Sequence, residues 1–232
     1  MKKLRFPQEA LYLIALVVMA IGVTFTDKAG FGFSMVVAPA YIFSEWLGIS
    51  FGTAEYLFQG TLLVIMSLIL RRFRLYFLFS FITAFLYGLI LDGCIVLFAF
   101  LPTETLFLRI LWFVIGLLIT APAVALFYRV YISPEVYELF VKELSAAFRI
   151  KTERFKFGYD VGSALLSLVL SFAVFGFGEF RGIGWGTLVT VLCNGLLIGM
   201  TLRFVDRYFD FYPALPFEKY FQNSTPSVKT DN

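Results

Sequence analysis

The chain has 232 residues, of which 60% are hydrophobic and only 15% charged, with mean hydropathy +0.86 and formal net charge +3. A soluble domain carries about 25% charged residues, and a single core of this size has no room for so much apolar surface. Composition therefore excludes an ordinary soluble fold and points to lipid as the solvent.

A bilayer core of about 30 Å needs about 20 helical residues. On that rule the first span covers 8–26, after a basic start at Lys2, Lys3 and Arg5. The apolar run has no small-x-small cleavage pattern behind it, so it reads as a span and not as a leader. Residues 29–48 are too apolar for a solvated loop and too broken by Gly and Pro for a span. They predict a short helix over 34–47, interfacial or re-entrant. The second span runs 53–70 and stops at Arg71, Arg72 and Arg74; the third runs 75–100 and the fourth 106–128. Ser133-Pro134-Glu135 is a helix start, and Val136, Leu139, Phe140, Leu144 and Ala147 follow at helical spacing. That predicts an amphipathic helix over 133–148, against the membrane or the bundle. The fifth and sixth spans cover 157–177 and 184–203. Residues 208–232 are a cytoplasmic tail, aromatic at first and disordered from Gln222 onward.

The expected fold class is thus an all-α polytopic membrane protein with six transmembrane helices. A cytoplasmic N-terminus leaves only Lys28, Arg109 and Arg181 of the 19 Lys and Arg residues on the outside. That asymmetry supports the orientation, with both termini inside, and the even span count.

Weak internal matches recur in the same order. Ile21-Gly22 is echoed by Ile115-Gly116, Gly32-Phe33-Ser34 by Tyr131-Ile132-Ser133, and Thr83–Ile90 by Thr190–Leu197. They superpose spans 1–3 (residues 1–105) on spans 4–6 (106–207). Three spans per unit is odd, so the second unit is expected to be inverted, with a short helix in each half.

Polar groups inside a membrane are costly and are functional candidates by default. Gln59 lies about 10 Å into the second span at 1.5 Å per residue. Asp160 stands near the start of the fifth span and Asn194 near the middle of the sixth; placing Ile49 on Ile150 puts Gln59 on Asp160. Gly30 and Gly32 let backbone approach a ligand, and Ser34 and Ser133 are pseudo-symmetric candidates to cap the short helices. These seven form the expected substrate site. Hydrogen bonding between helices and interface marking are the plainer readings of Gln59, Asn194 and Asp160. Asp92 and Arg109 fall at one depth and are expected to form an ion pair, with proton coupling through Asp92 the alternative.

There is no histidine, and no GxSxG, HExxH, CxxC or phosphate-loop motif occurs. Cys94 and Cys193 read as small apolar residues within spans. No enzyme, cofactor, metal site or nucleic-acid partner is expected.

Ala29-Gly30-Phe31-Gly32-Phe33-Ser34, Gly48-Ile49-Ser50-Phe51-Gly52-Thr53 and the segment Gly88 to Asp92 together resemble the YczE/YyaS/YitT group of bacterial multi-pass membrane proteins. The ending Gly182-Ile183-Gly184-Trp185-Gly186-Thr187 with Gly195-Leu196-Leu197-Ile198-Gly199 is similar to that group's as well. The resemblance spans roughly 15–203 and departs at Met35, where Pro often stands, and at Arg129-Val130-Tyr131-Ile132, which replaces a Gly-rich entry. It implies the bacterial cytoplasmic membrane and no catalytic or binding residues. The leading expectation is a small-molecule or ion transporter whose partners are the bilayer and a small solute, working as a homodimer or on a small substrate. The alternative is a non-transporting accessory or scaffold for a biosynthetic or export system, docking through 133–156.

Overall fold

The computed structural model describes residues 4–132, 135–178 and 180–215, with the side chain of residue 153 set aside. A short strand β1 (Leu4–Pro7) leads into α1 (Gln8–Ala29), α2 (Ala38–Leu47), α3 (Phe51–Leu70) and α4 (Leu75–Leu97). Then come α5 (Leu106–Phe127), α6 (Val136–Ala147), α7 (Thr152–Phe175), α8 (Trp185–Tyr208) and the strand β2 (Phe209–Tyr212). Six of these helices are long and apolar enough to cross a membrane; α2 and α6 are not among them. Large apolar side chains such as Leu68, Val96, Phe107 and Leu192 face outward, as a lipid solvent allows.

Local chemistry sets the breaks. Gly30 takes a left-handed φ of 63° and its N–H donates to the carbonyls of Thr26 and Asp27, closing α1. Pro39 sits in the first turn of α2, and Gly48, φ 64°, ends it. The Ser50 hydroxyl accepts from the Thr53 N–H at 3.3 Å to open α3, and Thr105 does the same for Leu108 at the start of α5. The helix expected over 34–47 begins only at Ala38. Ser34 serves it with its backbone carbonyl, accepting from Val37 and Ala38, and not with a side-chain cap.

The ends of α1 and α4 and the starts of α3 and α5 lie together at what we term the far end, joined by contacts such as Arg109 to Ala29 and Asp92 to Gly52. The start of α1 and the ends of α5 and α8 define the near end. The chain from Gly30 to Ser50 therefore leaves and returns at the far end. That from Tyr128 to Lys151 leaves and returns at the near end, since Glu143 on α6 meets Arg72 and Tyr76 in the α3–α4 turn region. Both short helices are half-crossings. They lie between α3 and α7: α2 packs on both, and so does α6.

Two close crossings hold the bundle. Gly22 on α1 meets Gly116 on α5; a Cβ on Gly116 would stand 2.8 Å from the Gly22 carbonyl oxygen. Gly52 on α3 meets Gly88 on α4, where a Cβ on Gly88 would stand 2.5 Å from the Gly52 oxygen. Small residues let backbones approach where lipid offers no hydrophobic drive between helices. The amphipathic segment 136–147 packs on the bundle: Val136, Leu139, Phe140 and Leu144 join Leu63, Met66, Phe77 and Ala84 in one buried cluster. The segment expected as a plain tail begins with β2, which pairs in parallel with β1, Leu4 opposite Phe209 and Pro7 opposite Tyr212. Residues 216–232 lie outside the described residues.

Candidate functional site

The chemistry gathers where α6 begins. Glu55 and Gln59 stand four residues apart on one face of α3, and both are fully buried. The half-helix α6 has no capping side chain of its own. An open helix start inside a bundle leaves N–H groups unpaired, at a cost of several kcal/mol each in a lipid setting. Gln59 meets this need from another helix: its Oε1 accepts from the Val136 N–H at 3.0 Å. A backbone N–H can only donate, so this bond fixes which way the amide points. The Gln59 Nε2 then donates to Glu55 Oε1 at 3.4 Å and to Glu135 Oε2 at 3.3 Å. One amide thus bridges two buried carboxyl groups, one from the crossing helix and one from the start of the half-helix.

Each carboxyl keeps one oxygen without a partner, Glu55 Oε2 and Glu135 Oε1. Two buried hydroxyls lie nearby: that of Tyr87 has no hydrogen-bond partner, and that of Tyr137 faces the Glu55 carboxyl. Tyr87 belongs to the buried cluster that contains Val37 and Ala40 of the α2 start, and both carboxyls act on it. Tyr87 is therefore buried with the start of one half-helix and within the field of the carboxyls at the start of the other. Buried polar atoms are nearly always satisfied, so the unpaired Glu135 oxygen and Tyr87 hydroxyl make this place a candidate site. A proton or a small hydrogen-bonding solute fits this set. Among the described residues no three His, Cys, Asp or Glu side chains gather as a metal site.

A second feature lies toward the far end. A cavity of about 860 Å³ opens between α7 and α8, bounded by the 30–35 loop, the 180–185 loop and the outer part of α2. It exists because α7 and α8 do not close on each other as α3 and α4 do. The two loops are joined by bonds from Phe33 N to Gly182 O, 3.0 Å, and from Gly186 N to Phe31 O, 2.9 Å.

Of the residues expected at a site, Gln59 is central to this one. Gly30 and Gly32 border the far-end cavity, but their bareness serves packing: a Cβ on Gly32 would stand 2.5 Å from Gly184 N, and one on Gly30 would stand 2.9 Å from the Arg109 guanidinium. Ser34 is half-buried, with its role in the backbone turn. Ser133 lies outside the described residues. Asp160 is half-buried on α7 with Oδ1 unpartnered, in the field of Lys156 and Tyr128 and not in the Gln59 bridge. Asn194 Oδ1 is likewise buried without a partner, also away from that bridge.

Asp92 and Arg109 do not pair with each other. Asp92 accepts from the Ser50 hydroxyl at 2.6 Å and from Gly52 N at 2.7 Å, so it caps α3. Arg109 donates to the carbonyls of Ala29 at 2.8 Å and Gly30 at 3.1 Å and lies over the Phe31 ring, 4.9 Å from its centre, so it caps α1. Equal depth places them at one height, but helix ends with unpaired backbone groups are the nearer partners.

Sequence reasoning misses Glu55 and Glu135 as site residues. Four residues before Gln59, Glu55 has the spacing of a same-face partner, which is the available signal. Glu135 reads as the acid of a first helical turn, and only the fold brings it to α3.

Comparison with known proteins gives the family of the chain. The chain is 27% identical over 206 residues to a protein of Bacillus subtilis (strain 168) titled "Uncharacterized protein YyaS", covering 85% of this chain and 94% of that one. No solved structure matches. Residues 6–203, nearly the whole membrane portion from α1 to the end of α8, match one family, and the chain belongs to it: the family of unknown function DUF6198.

Proposed function

We propose that this chain is a proton-linked secondary transporter of the bacterial cytoplasmic membrane, with both termini cytoplasmic and no enzymatic activity. The observation that carries the reading is the Glu55–Gln59–Glu135 bridge at the buried start of a half-helix. Broken helices whose ends meet polar side chains inside a bundle are how transporters hold ions and solutes away from water. Two carboxyl groups buried this close do not readily both ionise, so a proton held on one of them is the natural state of the pair. Gln59 holds that pair at fixed separation, and the free oxygens offer the proton a route on or off.

An inverted three-plus-three repeat supports the same reading. Under it α1 maps on α5, α2 on α6, α3 on α7 and α4 on α8. Three packing pairs support it: α2 with α3 as α6 with α7, α1 with α4 as α5 with α8, α2 with α7 as α6 with α3; the α3–α4 contact has no equal between α7 and α8. Gly22 and Gly116, equivalent in that mapping, touch each other, as residues on a two-fold axis do. The conformation suits one half of an alternating cycle. The far end holds the cavity, while the near end is tied by Arg129 to Asp206 (2.7 and 2.6 Å), by Tyr131 to Gln8 and Glu9, and by β1 to β2.

The test is proteoliposomes that enclose a pH-sensitive dye, challenged with a panel of small solutes. A solute that drives a change in internal pH is expected, and Glu135→Gln and Glu55→Gln are each expected to reduce that change at least tenfold with the protein still folded. No response across the panel, together with one stable co-purifying protein, would replace transport with the scaffold reading.

A further inference from the structure

The far-end cavity has a chemistry of its own. Its inner and lateral walls are apolar, from Val161 to Leu168 on α7 and Leu188 on α8. Among the described residues its polar pole carries two carboxylates, Asp27 of α1 and Glu45 of α2, and one cation, Arg181. Glu45 is already engaged with Arg181 at 3.2 Å. Asp27 is half-buried, and its side chain makes no hydrogen bond or ion pair among the described residues. Lys28, its neighbour in sequence, acts on it through space and does not line the cavity. Arg109 stands behind the Phe31 ring on backbone carbonyls and does not line the space either. One carboxylate is thus left over in a pocket too apolar to keep it well hydrated, which is the arrangement that most needs a cation.

Aromatic rings complete the pocket. Phe33 and Tyr41 pack as a tilted pair, 4.5 Å between ring centres, near the pole, and Phe180 and Trp185 stand exposed at the lateral mouth. Ring faces attract cations, most of all where water is thin. The mouth between α7 and α8 opens sideways through Leu165 and Trp185, both largely exposed on surfaces that face lipid in a membrane protein. We infer that this cavity binds a lipophilic organic cation, admitted laterally from the bilayer, with its charge set against Asp27. The inference names a ligand class for the transport reading above and rests on that reading only for the steps after binding. Its test reads binding alone, so failure to bind and failure to transport are separate results.

Tetraphenylphosphonium and tetraphenylborate are a matched pair of probes, alike in size and shape and opposite in charge. Each is titrated into the purified full-length protein in neutral detergent by calorimetry. Saturable binding of the phosphonium, at least tenfold tighter than the borate, is expected. Asp27→Asn is expected to weaken phosphonium binding at least tenfold and to narrow the gap between the probes. Ala164→Phe, which fills the cavity from the α7 wall and leaves the carboxylate intact, is expected to weaken both. Wild-type elution and thermal unfolding of the variants establish that they are folded. Equal binding of the two probes, or a phosphonium affinity unchanged in Asp27→Asn, would overturn the inference and leave an apolar cleft without charge preference.

Discussion

Gln59 shows how much one side chain can settle in a membrane interior. Its two amide ends do opposite work: the oxygen completes a helix start and the nitrogen holds two carboxyls. No other residue type of that size offers both an acceptor and two donors, and Glu in its place would add a third carboxyl. Asp92 and Arg109 make a sharper contrast. Each caps a different helix at the far end with no shared partner. Asp92→Ala is expected to cost about 0.5–2 kcal/mol as a lost helix cap, and Arg109→Ala about 1.5–3 kcal/mol as lost charged hydrogen bonds. Because they share no contact, the fall in apparent Tm of the double variant should equal the sum of the single ones. A double variant no worse than either single one would restore the ion pair between them. Depth is legible from sequence here, because rise per residue is fixed; direction around the helix axis is not, and direction chooses the partner.

The elements themselves are largely written in the chain. All six spans fall within a few residues of their expected limits, because apolar length and Arg-rich or Gly/Pro-rich breaks are local signals. The half-helices are legible for the same reason. What sequence cannot supply is their seat between α3 and α7, which depends on contacts across the bundle. The similar stretches Thr83–Ile90 and Thr190–Leu197 show the limit most clearly. Gly88, in the first, presses on α3, while Gly195, at the matching place in the second, has open space around it. Gly88→Ala would drive a Cβ into the Gly52 carbonyl and is expected to cost about 1–3 kcal/mol through forced separation of α3 and α4. Gly195→Ala should be neutral or stabilising by up to about 1 kcal/mol, the ordinary gain of Ala over Gly in a helix. Thermal unfolding of the two variants side by side measures this; equal losses would mean that α7 and α8 close as tightly as α3 and α4. That openness is also where the far-end cavity lies.

At the scale of the molecule, the near end is the closed one. The bidentate Arg129–Asp206 pair joins the end of α5 to the end of α8 with two strong bonds, a geometry that Lys would not reproduce. If this end opens during a transport cycle, that pair must part. In a background without native cysteines, Thr201→Cys on α8 is expected to react slowly with a membrane-impermeant maleimide, and several-fold faster once Arg129→Gln is added. Unchanged labelling would remove the pair from any gating role. The β1–β2 ribbon at the same end has a further consequence, for the order in which the protein is made. Leu4 to Pro7 leave the ribosome before α1, and their partners Phe209 to Tyr212 come after α8. Parallel pairing over that separation is slow and late. The β1 residues therefore wait unpaired through the insertion of α1 to α8, and the near end seals only after α8 has emerged. A chain cut short before Phe209 carries α1 to α8 and lacks the ribbon that joins the start of α1 to the end of α8.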